Sequence, residues 1–486
     1  MKQIYIIGSG FSSLSAACYL AQAGNNVTIF EKNATIGGRA RQLKKNGFTF
    51  DLGPTWYWMP DVFERFFADF GKRPSDYYTL GKLSPAYRVY FGDDDYVDIS
   101  DNLDRIAETF ETIEKGSGAK LRKFIGKAKK NYDIAISDLV YRPGISPLEL
   151  VTADTITNLG QFIGSVSGDV RRLFKNKKLI QILEFPVLFL GAKPSDTPPF
   201  YNFMNYADFG LGTWYPENGM HSVVDAIGKL AVEQGVKIVT NATVDNIVVN
   251  GGKAAGIVCN GKPLAADLVL SGADYHHTET LLPKKYRTYS EKYWERRTFA
   301  PSALLFYVGF DKKLNNVGHH TLFFDADFYE HAKAIYDTPE WPEKPLFYAS
   351  FPSKTDKAAA PESCESGIFL IPLAPGIQDT QALRNQYFEK IIHRFERLTK
   401  QQVRNNIIFS ESFGSKDFIS AYNSYKGNAY GLANTLWQTA FLRPKLKSGK
   451  VANLFFTGQL TVPGPGVPPA LISGKLAAAL INKTKS

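Results

Sequence analysis

The stretch from Lys2 to Glu31 constrains the chain more than any other. Lys2 to Ile7 is a run of apolar, β-branched and aromatic residues, the mark of a buried strand. It stops at Gly8-Ser9-Gly10-Phe11-Ser12-Ser13, and apolar residues at helical spacing follow through Leu14, Ala17, Cys18 and Leu20. Gly24-Asn25-Asn26 ends that helix, and Val27 to Phe30 reads as a second strand closing on Glu31. Strand, glycine turn, helix and strand make a unit of a parallel sheet covered by helices, so an α/β fold with a Rossmann-type domain is expected. The same run could pass for a secretory leader. Gly8 and Gly10 interrupt it, however, and strand, turn and helix account for all of it.

Each part of that turn suits a dinucleotide. Gly8 permits the tight turn, and Gly10 lets backbone N–H groups approach a pyrophosphate that the helix N-terminus stabilises. Ser13 stands where a third glycine is usual, and is small enough for the helix to sit close to the strand. Glu31, followed by Lys32, is placed to accept hydrogen bonds from a ribose, and its charge would repel the 2′-phosphate of NADP. A second glycine pair follows in Ile36-Gly37-Gly38-Arg39, then Phe50-Asp51-Leu52-Gly53-Pro54-Thr55-Trp56. Gly37 and Gly38 offer backbone access, while Arg39 offers a charged fork to phosphate. From Val236 to Ser271, short β-branched strands alternate with Asn250-Gly251 and Asn260-Gly261, a β-meander that contains Val244. Far along the chain, a strand from Asn453 to Thr457 ends at Gly458, and Pro463-Gly464-Pro465-Gly466-Val467 opens a helix of small residues.

Together these segments resemble the amine oxidase-like flavoproteins and, within them, the bacterial phytoene desaturase type of carotenoid desaturase. Asn428-Ala429-Tyr430-Gly431-Leu432, Gln438 and Arg443-Pro444 look like that family's segment near the flavin. Ala433-Asn434 stands where many members have Glu-Pro, which puts an acidic role there in doubt. The resemblance implies FAD as cofactor, bound by Gly8, Gly10, Phe11, Ser12, Ser13, Glu31, Lys32, Gly37, Gly38, Arg39, Gly53, Pro54, Thr55, Trp56, Val244, Asp274, Leu432, Gly458, Gly466 and Val467. It also implies a discontinuous FAD-binding domain, residues 1–80, 211–275 and 411–486, with an inserted α+β cap from residues 81–210 and 276–410 for substrate and membrane. The implied reaction introduces C=C bonds into an acyclic or hydroxylated carotenoid by hydride transfer to the flavin, with phytoene toward lycopene as the first expectation. A later 3,4-desaturase of 1-hydroxylated carotenoids is the alternative; an amine or protoporphyrinogen oxidase on the same fold is a more distant one. No Ser-His-Asp set or carboxylate pair stands out, so no catalytic residue is named.

Composition bears on the substrate and on partners. Phe 35, Tyr 25 and Trp 6 make the chain 14% aromatic, and the formal charge is +10. Leu179 to Met204 is apolar and aromatic without a clean period, through Phe185, Val187, Phe189, Leu190, Phe200 and Phe203. Two readings fit it, the lining of a hydrocarbon tunnel or ordinary core. Basic clusters lie at Lys115 to Lys130 and Arg171 to Lys178. They are either solvated faces or a peripheral contact with anionic lipid, which would place the protein on the cytoplasmic side of the cell membrane. No nucleic-acid module accompanies the charge. Cys18, Cys259 and Cys364 are too far apart for a disulfide framework, and the histidines form no metal pattern, so neither a disulfide nor a metal is expected.

Overall fold

The computed structural model describes residues 1–150 and 164–484, so residues 151–163 of the expected cap lie outside the described residues. Gln3–Ile7 and Asn26–Phe30 form parallel strands at the centre of a five-stranded sheet. Leu268–Ser271 and Leu454–Phe456 extend it on one side and Lys237–Val239 on the other, all parallel. Both faces of such a sheet need cover. Helix Phe11–Gln22 packs there between Val467–Lys483 and His221–Glu233. The small residues of the first two helices let their backbones meet: a Cβ on Gly474 would lie 2.4 Å from the Ser12 carbonyl oxygen.

The meander is present as strands Val244–Asn250, Lys253–Cys259 and Lys262–Ala265. Asn260 and Gly261 both carry positive φ, as a two-residue hairpin turn requires. The first turn is one residue later than expected: Asn250 pairs with Lys253, and Gly251-Gly252 makes the bend.

A second, seven-stranded sheet faces the first domain. Its order runs Ile407–Phe413, Ser302–Phe310, Glu365–Leu373, Phe347–Ser350, His320–Phe323, Tyr87–Gly92 and Asp95–Ile99, antiparallel except between His320–Phe323 and Tyr87–Gly92. The expected break at 411 thus falls inside a strand of this sheet. Leu281, Leu282, Trp294 and Phe299, counted with the cap above, pack with Val244, Val269 and Phe456 of the nucleotide-side core. Helix Ser117–Ser137 turns Leu121, Phe124, Ile125 and Ala128 inward into a core shared with Phe185, Val187 and Phe203. Its apolar stripe is therefore occupied by the protein itself. No described helix is long and apolar enough to cross a membrane, and no group of three or more His, Cys, Asp or Glu among the described residues could hold a metal ion.

Candidate functional site

The two sheets enclose a cavity of about 1250 Å³. Single small-molecule sites span roughly 300–1,000 Å³, so this space has room for a cofactor and a substrate together. One end is built by the glycine turns. Gly8 N–H donates to the Phe30 carbonyl at 2.8 Å, and Gly37 N–H to the Ser9 carbonyl at 2.9 Å, which fastens the second glycine pair onto the first turn. A Cβ on Gly10 would meet no atom within 4 Å; the glycine leaves open space where a ligand backbone can lie. Helix Phe11–Gln22 begins there with no side-chain cap, leaving its first N–H groups to a ligand.

Glu31 is buried at the end of its strand. One carboxylate oxygen accepts from Ser9 N–H at 2.9 Å and Ser9 Oγ at 2.7 Å, the other from Asn33 N–H and Nδ2, both at 2.8 Å. Those four donors fix its orientation, and it still faces the cavity. Asn33 had no signal in the sequence beyond its nearness to Glu31. Lys32 donates to the Ser420 carbonyl at 2.7 Å, and burial lowers its pKa.

Arg39 carries the strongest sign of a missing partner. Its Nη2 donates to Ser424 Oγ at 3.0 Å and its guanidinium lies 5.3 Å from the centroid of Tyr422, yet its buried Nε has no partner. Burial pulls its pKa down, with the Asp274 carboxylate opposing. Asp274 caps the helix Tyr275–Thr280 through His277 N–H, and burial raises its own pKa. His277, which carries no site signal in the sequence, also lines the cavity; burial lowers its pKa to about 4, so it is neutral at pH 7. An orphaned guanidinium N–H, an open glycine cradle and a buried carboxylate acceptor fit the phosphates and ribose of FAD.

Of the residues expected at the cofactor, Gly8, Gly10, Phe11, Ser12, Glu31, Lys32, Gly37, Gly38, Arg39, Gly53, Pro54, Thr55, Trp56, Val244, Asp274, Gly458, Gly466 and Val467 line this one cavity. Ser13 and Leu432 are not on its wall. Ser13 is fully buried against Gly272, and Leu432 is buried beside Phe299 with its carbonyl accepting from Arg443 Nη2. Asn434 lines the cavity and accepts from Arg443 Nη1 at 2.7 Å, so the position that departs from the Glu-Pro pattern anchors a buried arginine. Arg443 donates also to the carbonyls of Gln438, Gln459 and Thr461, tying this loop to the segment before Pro463.

The other end is apolar and aromatic. Trp56 packs against Trp58, Phe185 and Phe189 with ring centroids 5.3, 5.6 and 5.6 Å away. From the apolar run, Phe185, Phe189, Leu190, Phe200, Phe203 and Met204 face the cavity, while Leu179 and Val187 are sealed in the core. The run is therefore divided residue by residue between cavity wall and core. Its wall continues through Leu139 and Val140 to Trp437 and Leu442, which are exposed to solvent.

Comparison with known proteins agrees with this architecture. The family described as flavin containing amine oxidoreductase matches residues 11–482. A carotenoid 3,4-desaturase of Haloarcula japonica is 41% identical over 486 residues, covering 99% of this chain and 98% of that protein. A zeta-carotene-forming phytoene desaturase of Myxococcus xanthus is 31% identical over 98% of this chain and 93% of its own length. Among solved structures, an oxidoreductase from Methanosarcina mazei shares the fold with a TM-score of 0.65 at 18% identity, over 99% of this chain and 100% of that one. A putrescine oxidase bound to putrescine shares it at 0.59 and 12%, over 99% of both chains. The chain belongs to the flavin-containing amine oxidoreductase family and, within it, to the carotenoid desaturases, FAD-dependent oxidoreductases.

Proposed function

We propose that the protein desaturates the 3,4 bond of an acyclic carotenoid end group. The observation that carries this is the single cavity in which the glycine turns and an aromatic, apolar channel share a wall. FAD, when bound, would accept the hydride that leaves one carbon, while the adjacent carbon gives up a proton to solvent and its C–H electron pair becomes the new C=C bond. Trp56, Phe185 and Phe189, packed on one another at the cavity wall, keep water from the polyene. Phytoene was the first expectation, but identity to the Haloarcula 3,4-desaturase exceeds that to the Myxococcus phytoene desaturase, 41% against 31%, and favours the end-group reaction. Expression in hosts that accumulate either phytoene or a 1-hydroxylated acyclic carotenoid tests this. The hydroxylated pigment is expected to gain one conjugated double bond while phytoene stays unchanged; the opposite pattern overturns the reading.

We further propose that the protein collects its substrate from a membrane surface through the cavity mouth. Ile145, Leu148 and Trp437 are 61, 74 and 76% exposed, unusual for large apolar side chains, and their loops meet where Gly144 lies against Ala440. A water-insoluble hydrocarbon needs such a contact. Vesicle flotation of wild type against serine variants of these three residues tests it.

A further inference from the structure

The cavity is walled mainly by carbon, yet beside the Gly53-Pro54 turn it holds a short line of polar groups. Thr55 Oγ1 lies 2.8 Å from the Tyr348 hydroxyl, which lies 2.7 Å from His320 Nδ1. Thr55 and Tyr348 line the cavity. His320 is fully buried and stacks on Trp56, ring centroids 4.0 Å apart at 11°. A wall for hydrocarbon needs none of these heteroatoms; phenylalanine would serve at 348.

Burial holds His320 well below the usual histidine range, so its ring is neutral at pH 7. A phenol oxygen carries one proton and two acceptor positions. If Tyr348 donates to Nδ1, Thr55 donates to Tyr348. If instead Nδ1–H donates to Tyr348, then Tyr348 donates to Thr55. Ser350 and Trp56 also lie near this hydroxyl, but neither makes a hydrogen bond to it, so either tautomer leaves one acceptor position on Tyr348 unfilled. In a cavity that a polyene has cleared of water, that position is costly to leave empty and favourable to fill.

We propose that Tyr348, oriented by Thr55 and His320, accepts a hydrogen bond from a hydroxyl on the substrate's end group and thereby sets a preference for hydroxylated carotenoids. The inference rests on the 3,4 reading above. A hydroxyl on C1 stands two carbons from C3, so whatever reads it must sit close to the reacting bond, and Thr55 directly follows the turn assigned to the cofactor. A second hydroxyl pair, Tyr201 and Thr439 at 2.6 Å, lines the cavity near exposed Trp437.

The test is the ratio of kcat/KM for a 1-hydroxylated carotenoid to that for the same carotenoid lacking the hydroxyl. Wild type is expected to favour the alcohol by about tenfold or more, because a site built to bond a hydroxyl rejects the analogue without one. Tyr348→Phe is expected to remove most of that ratio, chiefly through KM, whereas Tyr201→Phe keeps it. A ratio unchanged in Tyr348→Phe, or lost in Tyr201→Phe alone, overturns the proposal. A readout with wild-type enzyme guards against misfolding: the methyl ether of the alcohol cannot donate, so it is expected to bind at least about tenfold more weakly than the alcohol. Equal binding of ether and alcohol overturns the proposal. Conversion of phytoene with no conversion of the alcohol is a separate result; it removes the 3,4 reading and this inference with it.

Discussion

Asp208 is 2% exposed, under the aromatic wall of the cavity. One carboxyl oxygen accepts the Tyr87 hydroxyl at 2.7 Å, and burial raises its pKa to about 8, with Tyr87 and nearby Thr213 opposing. In the unfolded chain a carboxyl titrates near ~3.9. Between roughly pH 4 and pH 8 the folded protein therefore holds a proton that the unfolded chain has released, and stability is lost as pH rises through that window, by up to ~1.4 kcal/mol per pH unit. Asp208→Asn keeps the shape and never ionises. Thermal melts are expected to show the variant gaining on wild type steadily from about pH 4 to about pH 8; a difference that does not change with pH would count against a protonated Asp208. At this scale the sequence was uneven in what it disclosed. Glu31 was legible because a carboxylate closing the second strand of such a unit has one evident use. Tyr348 and His320 were not, because they reach Thr55 only through the pairing of distant strands and belong to no motif.

The close fit between elements explains Ser13. A Cβ on Gly272 would lie 2.0 Å from Ser13 Oγ, so the helix that follows the glycine turn rests directly on the end of strand Leu268–Ser271. Gly272→Ala is expected to cost about 1–3 kcal/mol, read by urea unfolding, and Ser13→Gly to restore most of it in the double variant. If the double variant is no more stable than Gly272→Ala alone, the strain lies elsewhere. Strands and turns with local signals, such as Gln3–Ile7 and Asn260-Gly261, could be placed from sequence. The pairing of Tyr87–Gly92 with His320–Phe323 could not, since neither strand's pattern specifies a parallel partner so far along the chain.

For the whole molecule, the net charge pointed to basic helices as a lipid contact, but the helix Ser117–Ser137 spends its apolar side on the core. The proposed contact is instead Ile145, Leu148 and Trp437, exposed on loops that meet where Gly144 lies against Ala440. Replacing Ile145, Leu148 and Trp437 by serine is expected to lower vesicle binding at least about tenfold, given the apolar surface each contributes. Flotation of the triple variant at the wild-type level would leave the mouth without a role in membrane contact. The mouth was illegible in sequence because its residues come from segments that only tertiary structure joins. The order of assembly follows from the first sheet. Gln3–Ile7 leaves the ribosome well before its neighbour Leu268–Ser271, the edge strand Leu454–Phe456 and the covering helix Val467–Lys483. Such long-range pairing folds slowly and leaves apolar segments waiting for their partners. A nascent chain stalled short of that helix would carry the glycine turn without one of the helices that cover it, so FAD capture is expected only after residues 467–483 have been made.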